Sequence, residues 1–362
     1  MNKQLRELGT KIFEAVGTPI DEASWVSDCL VLSNLKGVDS HGVQQIPSYI
    51  RDIQKGSLRV GAKINILRET PAITLFDGNW GFGYTIAREV MEVTIQKAKE
   101  VGVAYSGVRN LHHIGRVGRW PEMALEEDMI GIASQPGSVY IAPWGGTERK
   151  LPISALAIAV PTNKYPPIVI DMSLGPMAGG RSIILALRNQ KVPLDWLIND
   201  DGKPMDDPAL FNSGVGAQLP LGQTGLGYKG MALSMIIDIL TGPLIGVFAT
   251  HTQVYERRGV FFAAINIDTF TPIEDFKNSI DDLIANIKSS KLATGFSEIM
   301  IPGEPEWKVQ QKRLKEGIFL DDAIYQNIIE TAKNVGVDTS HYRGKKGTAK
   351  ITHPSYTLKE RY

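Results

Sequence analysis

Gly37-Val-Asp-Ser-His-Gly-Val-Gln-Gln-Ile-Pro-Ser-Tyr49 is the stretch on which the reading of the chain turns. It follows a run, Glu22 to Leu35, in which Ala23, Val26, Cys29, Leu30, Leu32 and Leu35 recur at helical spacing. Gly37 ends that helix, because a helix terminus commonly needs a residue able to take the left-handed conformation. Asp39 or Ser40 then caps the next helix, which puts His41 in its first turn on the way to Tyr49. A positive helix end lowers the pKa of a histidine placed there, and its proton exchanges readily near neutral pH. The same pattern suits a histidine that only caps or packs, so His41 is a candidate whose role the stretch leaves open.

Composition narrows the class. The chain has 362 residues, 43% of them hydrophobic, enough for two or three domains with real cores. Lys plus Arg and Asp plus Glu balance at 39 each, so no global charge draws it to nucleic acid or an anionic membrane. A small-molecule partner is expected. Cys29 is the only cysteine, which excludes an internal disulfide and a cysteine metal site and suits a reducing cytoplasm. The N-terminal residues read as a polar amphipathic helix without the apolar core of a secretory signal. Met231 to Thr250 imitates a membrane span, but Asp238, Gly242, Pro243 and Gly246 interrupt it. The expectation is a buried helix over 231–240 and no membrane.

In chain order, helices are expected over 2–16, 22–35, from His41 to near Gly56, and over 85–100. Strand-like runs cover 63–68 and 72–77, and Gly78-Asn-Trp-Gly-Phe-Gly83 reads as a loop. Short apolar strands between glycines follow at 103–108, 130–134, 156–160, 168–172 and 260–267. Helices at about 120–127, 181–189, 273–289 and 321–334 alternate with them, and Pro302-Gly-Glu-Pro305 reads as a loop.

Familiar catalytic motifs are mostly missing: no phosphate loop, no Gly-x-Ser-x-Gly elbow and no His-Glu-x-x-His occur. Gly225-Leu-Gly-Tyr-Lys-Gly230 matches the dinucleotide pattern in name only. A loop precedes it where a strand is needed, and no acidic residue follows about 20 positions on. It reads as a glycine loop opening a helix, with Lys229 beside the positive end, an arrangement that favours an anion. Asn110-Leu-His-His-Ile-Gly-Arg-Val-Gly-Arg119 sets two histidines and two arginines in a loop after a strand. It offers a catalytic or substrate-binding histidine with Arg116 or Arg119, and no metal set is evident.

Taken together, the motifs resemble the type 2 malate/L-lactate dehydrogenases, whose relatives include ureidoglycolate and sulfolactate dehydrogenases and piperideine carboxylate and diketogulonate reductases. Asp39-Ser-His-Gly-Val43 with Pro47 and Tyr49 opens the likeness. Asn110 to Gly115, Pro143-Trp-Gly-Gly146, Asp171-Met-Ser173, Trp196-x-x-Asn199-x-x-Gly202, Asp207-Pro208, Gly227-Tyr-Lys-Gly230 and Pro302-Gly-Glu304 continue it in order. The likeness covers residues 2 to 336.

The resemblance implies an α/β, non-Rossmann dinucleotide-binding fold with a mixed, largely antiparallel sheet. A helical domain of residues 1–70, completed by about 300–340, accompanies a central cofactor and substrate domain of 71–300 and a polar tail, 341–362. It implies a homodimeric NAD- or NADP-dependent oxidoreductase. His41 carries the proton with Ser40 beside it, and His113 lies at the substrate. Asp171, Met172, Ser173, Lys229, Pro302, Gly303 and Glu304 meet the cofactor.

Three positions depart from the family pattern. Gln45 replaces a carboxylate-binding arginine, Asn199 replaces an aspartate, and Pro152-Ile-Ser-Ala155 replaces Gly-Thr-Asn-Pro. Gln45, Asn199 and Arg116 are the expected substrate residues. A glutamine loses the charge-assisted part of an arginine–carboxylate pair, so plain malate or lactate is not the expected substrate. A protein of the same fold with lost or altered redox activity is the alternative.

Overall fold

The apolar segments of the middle of the chain pair into a seven-stranded sheet in a computed structural model that describes residues 2–247 and 259–342. Across the sheet the strands run Asn65–Glu69, Ile73–Gly81, Val103–Leu111, Gly259–Asn266, Met129–Gln135, Ala155–Val160 and Ile168–Ser173. Ile73–Gly81 and Val103–Leu111 pair in parallel, and the other neighbours are antiparallel. A parallel pair needs a long crossover. The 19-residue helix Gly83–Val101 supplies it. A smaller sheet of strands two or three residues long joins Val139–Ile141 and Leu151–Pro152 to Leu197–Ile198, Pro204–Met205 and Ala217–Gln218. This is a mixed, largely antiparallel α/β fold and not a doubly wound parallel one.

Both ends of the chain contribute helices to one layer. Asn2–Glu14, Ile20–Leu35 and Ile46–Gln54 meet Glu304–Glu316 and Asp322–Asn334. Leu5, Leu8, Phe13 and Leu30 share one core with Ile328 and Ile329 from the far end and with Phe76, Val108 and Phe262 from the sheet. Each such side chain contributes about 1.5–3 kcal/mol on burial. The helical layer is therefore attached to the sheet by continuous packing, and the site lies along that junction.

Several expectations change in the structure. No α-helix begins at His41: Asp39–His41 and Val43–Gln45 are short 3-10 turns, and the helix starts at Ile46. Gly42 is extended between the turns, and Pro47 fits only the first turn of the helix that follows. Gly37 does take the left-handed conformation, at φ +81. The Gly78–Gly83 stretch continues a strand to Gly81, with Asn79 and Trp80 both at positive φ. The helix expected at 231 begins at Gln223 and is kinked at Leu226. Glu304–Glu316 is a helix that sequence reading misses, because none of its residues is buried and no apolar stripe marks it.

The stretch 223–245 is long and apolar enough to cross a membrane by length and composition, and 33% of its 18-residue apolar run is buried. Residues 248–250 of the apolar run lie outside the described residues. So do 343–362, with the tail cations Arg343, Lys345, Lys346 and Lys350.

Gly83 opens the crossover helix with no room for a side chain: a Cβ there would overlap the carbonyl oxygens of His112 and His113. Gly83→Ala is expected to lower stability by about 1–3 kcal/mol, as overpacking does. Gly225→Ala, where a Cβ meets nothing within 4 Å, should leave it unchanged or slightly higher. Urea midpoints of the two variants check this.

Candidate active site

The 3-10 turn Asp39–His41 projects Ser40 and His41 into a cavity of about 860 Å³ between the helical layer and the sheet. The loop after Val103–Leu111 delivers His112 and His113 to the same cavity. Helix Ile46–Gln54 presents Tyr49 and Asp52, one turn apart. The edge strand Ile168–Ser173 adds Asp171, Met172 and Ser173, and Ala178, Gly179 and Gly180 open the next helix against it. That helix start comes close to the turn, for a Cβ on Gly180 would meet the Cβ of Ser40 at 3.3 Å.

The two candidate histidines face each other with ring centroids 5.4 Å apart. Ser40 Oγ lies 2.9 Å from His41 Nδ1. A hydroxyl can donate to that nitrogen or accept from it, so Ser40 supports either tautomer of His41. Tyr49 Oη lies 2.7 Å from His113 Nδ1 and 3.3 Å from Tyr84 Oη. His112 turns away from this pair, its Nε2 3.2 Å from Asp52 Oδ2.

Beneath the histidines runs an alternating chain of charge. Lys36 Nζ lies 2.6 Å from Glu122, Arg116 Nη2 lies 2.6 Å from the other Glu122 oxygen, and Arg116 Nη1 lies 3.3 Å from Asp171. The Gly118 N–H also donates to Asp171, at 3.0 Å. Burial works against the Glu122 carboxylate, but Arg116 and Lys36 overcome it and hold its pKa below the usual range. At Asp171 burial wins over Arg116 and Gly118 and raises the pKa. His41 is pushed down to about 4, first by burial and then by the Arg116 cation. The cause is not the helix end that its sequence position suggests.

The structure thus brings Ser40, His41, Gln45, His113, Arg116, Asp171, Met172 and Ser173 to one cavity. Gln45 points its amide at the turn, Nε2 donating to the Ser40 carbonyl at 2.7 Å. Arg116 is committed to two carboxylates, and Arg119 stacks over the Trp25 ring at 5.1 Å. Five other expected residues fall elsewhere. Asn199 holds a turn, its Oδ1 accepting from the N–H groups of Asp201 and Lys203, and it does not line the cavity. Lys229 lies exposed on the Gln223–Thr241 helix, past the kink and outside the cavity lining. Pro302 and Gly303 brace the edge strand from behind, the Pro302 carbonyl accepting from Val169 N–H at 3.0 Å. Glu304 pairs with Lys288 at 2.7 Å, and Glu306, two residues on, reaches the cavity instead. Sequence reading missed Asp52, Arg59, Trp80 and Glu306, which carry no motif and meet the cavity only through folding.

A mixed sheet roofed by helices from both chain ends, with paired histidines in the cleft between, defines an oxidoreductase of non-Rossmann fold. The chain belongs to the malate/L-lactate dehydrogenase family, whose sequence model matches residues 1–329. It is a dehydrogenase of that type. The malate dehydrogenase of Pyrococcus abyssi is 35% identical over 336 residues, covering 90% of this chain and 92% of that one. The L-sulfolactate dehydrogenase of Methanocaldococcus jannaschii is 36% identical over 344 residues, covering 93% and 97%. Among solved structures, malate dehydrogenase from Entamoeba histolytica superposes with a TM-score of 0.89 at 29% identity, covering 93% and 98%. Dehydrogenases of this family use nicotinamide cofactors.

A histidine with a folded pKa of about 4 and an ordinary value of 6.5 binds fewer protons folded than unfolded in the interval between them. Stability therefore rises with pH across about 4 to 6.5 and is lost as pH falls through that window. His41→Ala is expected to flatten this part of the curve, read as urea stability against pH. The His41 ring signals in an NMR titration should move near pH 4.

Proposed function

We propose that this protein passes a hydride between a nicotinamide cofactor, NAD or NADP, and the carbon of a small carbonyl, imine or hydroxy compound. His41 handles the accompanying proton. The observation that carries this is the His41 arrangement: a neutral imidazole in the cleft, held by Ser40 at Nδ1, with His113 opposite. Proton transfer by a positioned side chain contributes roughly 10²–10⁴-fold in rate.

The cavity volume of about 860 Å³ and the backbone cradle at Ala178–Gly180 suit a nicotinamide and its first phosphate. Asp171, Met172 and Ser173 would hold the ring side of it. The cofactor supplies the hydride chemistry when bound. For oxidation, Ser40 accepts from His41 Nδ1–H and leaves Nε2 free to take the substrate hydroxyl proton. For reduction the step reverses: the imidazolium keeps Nδ1–H on Ser40 while Nε2–H delivers the proton to the forming oxygen, which returns His41 to its neutral form. His113, oriented through Nδ1 by Tyr49, turns its other nitrogen to the substrate.

The substrate class follows from what is missing beside His41. Gln45 is neutral and bound to Ser40, and Arg116 is already paired twice. Among the described residues, a carboxylate next to the reacting carbon would find no uncommitted arginine there, so plain malate and lactate are poor substrates in this reading. A neutral, cyclic or differently charged carbonyl or imine is favoured. The partners proposed are this small substrate and a second copy of the chain, with neither nucleic acid nor membrane. The lone, buried thiol of Cys29 suits a cytoplasmic location. Support for a homodimer comes from the apolar side chains that helices Gly179–Leu187 and Gln223–Thr241 leave exposed: Ile183, Leu187, Met235, Ile236 and Ile239.

His41→Ala should fold and bind dinucleotide while losing turnover on the order of 10²-fold or more. Titration of the native protein with NADH or NADPH, followed by nicotinamide fluorescence, tests the reading as a whole. Absence of binding by both would leave the altered-activity alternative in its place. Efficient malate or lactate oxidation would overturn the substrate reading alone. For the dimer, Ile236→Glu with Leu187→Glu should halve the mass seen by light scattering, and an unchanged mass would remove that face from the interface.

A further inference from the structure

Among the described residues, two arginines line the cavity, and their commitments differ. Arg116 is 4% exposed and bridges two carboxylates. Arg59 is exposed and forms no ion pair among the described residues. Its backbone is fixed nonetheless: Arg59 N–H donates to the Trp80 carbonyl at 2.9 Å, and the residue bridges in parallel register to Gly81. Arg59 is thus set at the cavity wall by a locked backbone, and its guanidinium has no counter-ion among the described residues.

Trp80 stands beside it in a conformation that large side chains rarely adopt, at φ +60, after Asn79 at φ +50. Asp77 Oδ1 accepts from the Asn79 N–H at 2.9 Å, and Asn79 Nδ2 donates to the Lys63 carbonyl at 2.7 Å, which holds the corner. The indole is half-buried and lines the cavity. Strain of this kind costs about 1–3 kcal/mol and persists where the surroundings enforce it, often at a ligand clamp. The carboxylate on this wall, Asp52, is 3.2 Å from His112 Nε2.

We propose that Arg59 and Trp80 form an anion subsite of the cavity, which takes a carboxylate or sulfonate at the substrate end remote from the carbon that reacts at His41. The subsite deepens the proposed function and rests on it for the reacting end. Near His41 the polar groups are occupied with one another, whereas Arg59 has a full fork of donors for a planar or tetrahedral anion. The Trp80 face covers the aliphatic part of the ligand and excludes water from the pair. The loop that follows helix Ile46–Gln54 and the Trp80 corner thus bind the substrate, and the His41–His113 pair reacts with it.

The test uses the full chain and two probes that differ in one acidic group, malate and lactate, with binding measured by calorimetry. The unmodified protein should bind malate tighter than lactate by about tenfold or more, the range for a hydrogen bond to a charged group. Arg59→Gln should abolish that preference and leave NADH affinity within about twofold, while Arg59→Lys keeps part of the preference. Trp80→Leu should weaken both probes. Equal binding of the two by the unmodified protein overturns the subsite, as does a preference that survives Arg59→Gln. A loss confined to NADH would give Arg59 to a cofactor phosphate and overturn it likewise. If the unmodified protein binds no dinucleotide, the redox reading fails by itself, and the malate preference still decides the subsite.

Discussion

Asp39 ties the two ends of the chain together at the one place where the site could not otherwise hold its shape. Arg313, 274 residues away, donates to both of its oxygens, and to the Asn34 carbonyl as well. Asn34 Nδ2 donates to Asp39 at 2.7 Å while its own Oδ1 accepts from the Val43 N–H at 2.9 Å. The turn carrying Ser40 and His41 is therefore clamped on both flanks. Gly42 lies so close to Asn34 that no side chain fits. The pair is 15% and 18% exposed, so solvent and salt screen it only partly. Each charged hydrogen bond contributes about 1.5–3 kcal/mol. A short 3-10 turn with its own few backbone bonds could not fix an imidazole alone.

The buried chain Lys36–Glu122–Arg116–Asp171 has a different consequence. Its charges cancel in pairs, and ion pairs of this kind stabilise a fold little once desolvation is counted. What it provides is position. It connects the residue after helix Ile20–Leu35, the short helix Pro121–Ala124 and the edge strand that lines the cleft. It also sets a cation under His41 that is already matched by carboxylates. The same guanidinium that lowers the proton affinity of His41 is held by Glu122 and Asp171.

The aromatic packing behind His113 serves the same precision. Tyr49, Tyr84, Phe82 and Trp120 are fully buried and meet at centroid distances of 5.5 to 6.2 Å. Pairs of this kind add about 0.5–1.5 kcal/mol beyond the area they bury. Trp120 Nε1 donates to the Ile114 carbonyl at 3.1 Å, which anchors the loop just past the histidines. Gly115 takes φ +70 directly against Tyr84, where a Cβ would have no space. The histidine loop is rigid because it is built onto a packed floor.

The sequence by itself determined the family, the mixed sheet and the identity of His41 and His113 as candidates. Those signals are local: apolar runs of strand length, glycines at turns, and short motifs in a set order. It also placed most long helices to within a few residues, because their apolar faces repeat. Glu304–Glu316 escaped, since a helix with no buried residue leaves no such repeat. The second sheet escaped because strands of two or three residues carry no alternation. Only the tertiary structure decided which charges are free. Gln45, Arg116 and Asn199 look alike in sequence as substrate residues, yet contacts formed in the fold engage Gln45 Nε2, the Arg116 guanidinium and Asn199 Oδ1 within the protein itself. Arg59 carries no motif and remains uncommitted because no carboxylate among the described residues folds against it. Whether a polar side chain serves the protein or a ligand depends on its neighbours in space, and a linear order of residues does not contain them.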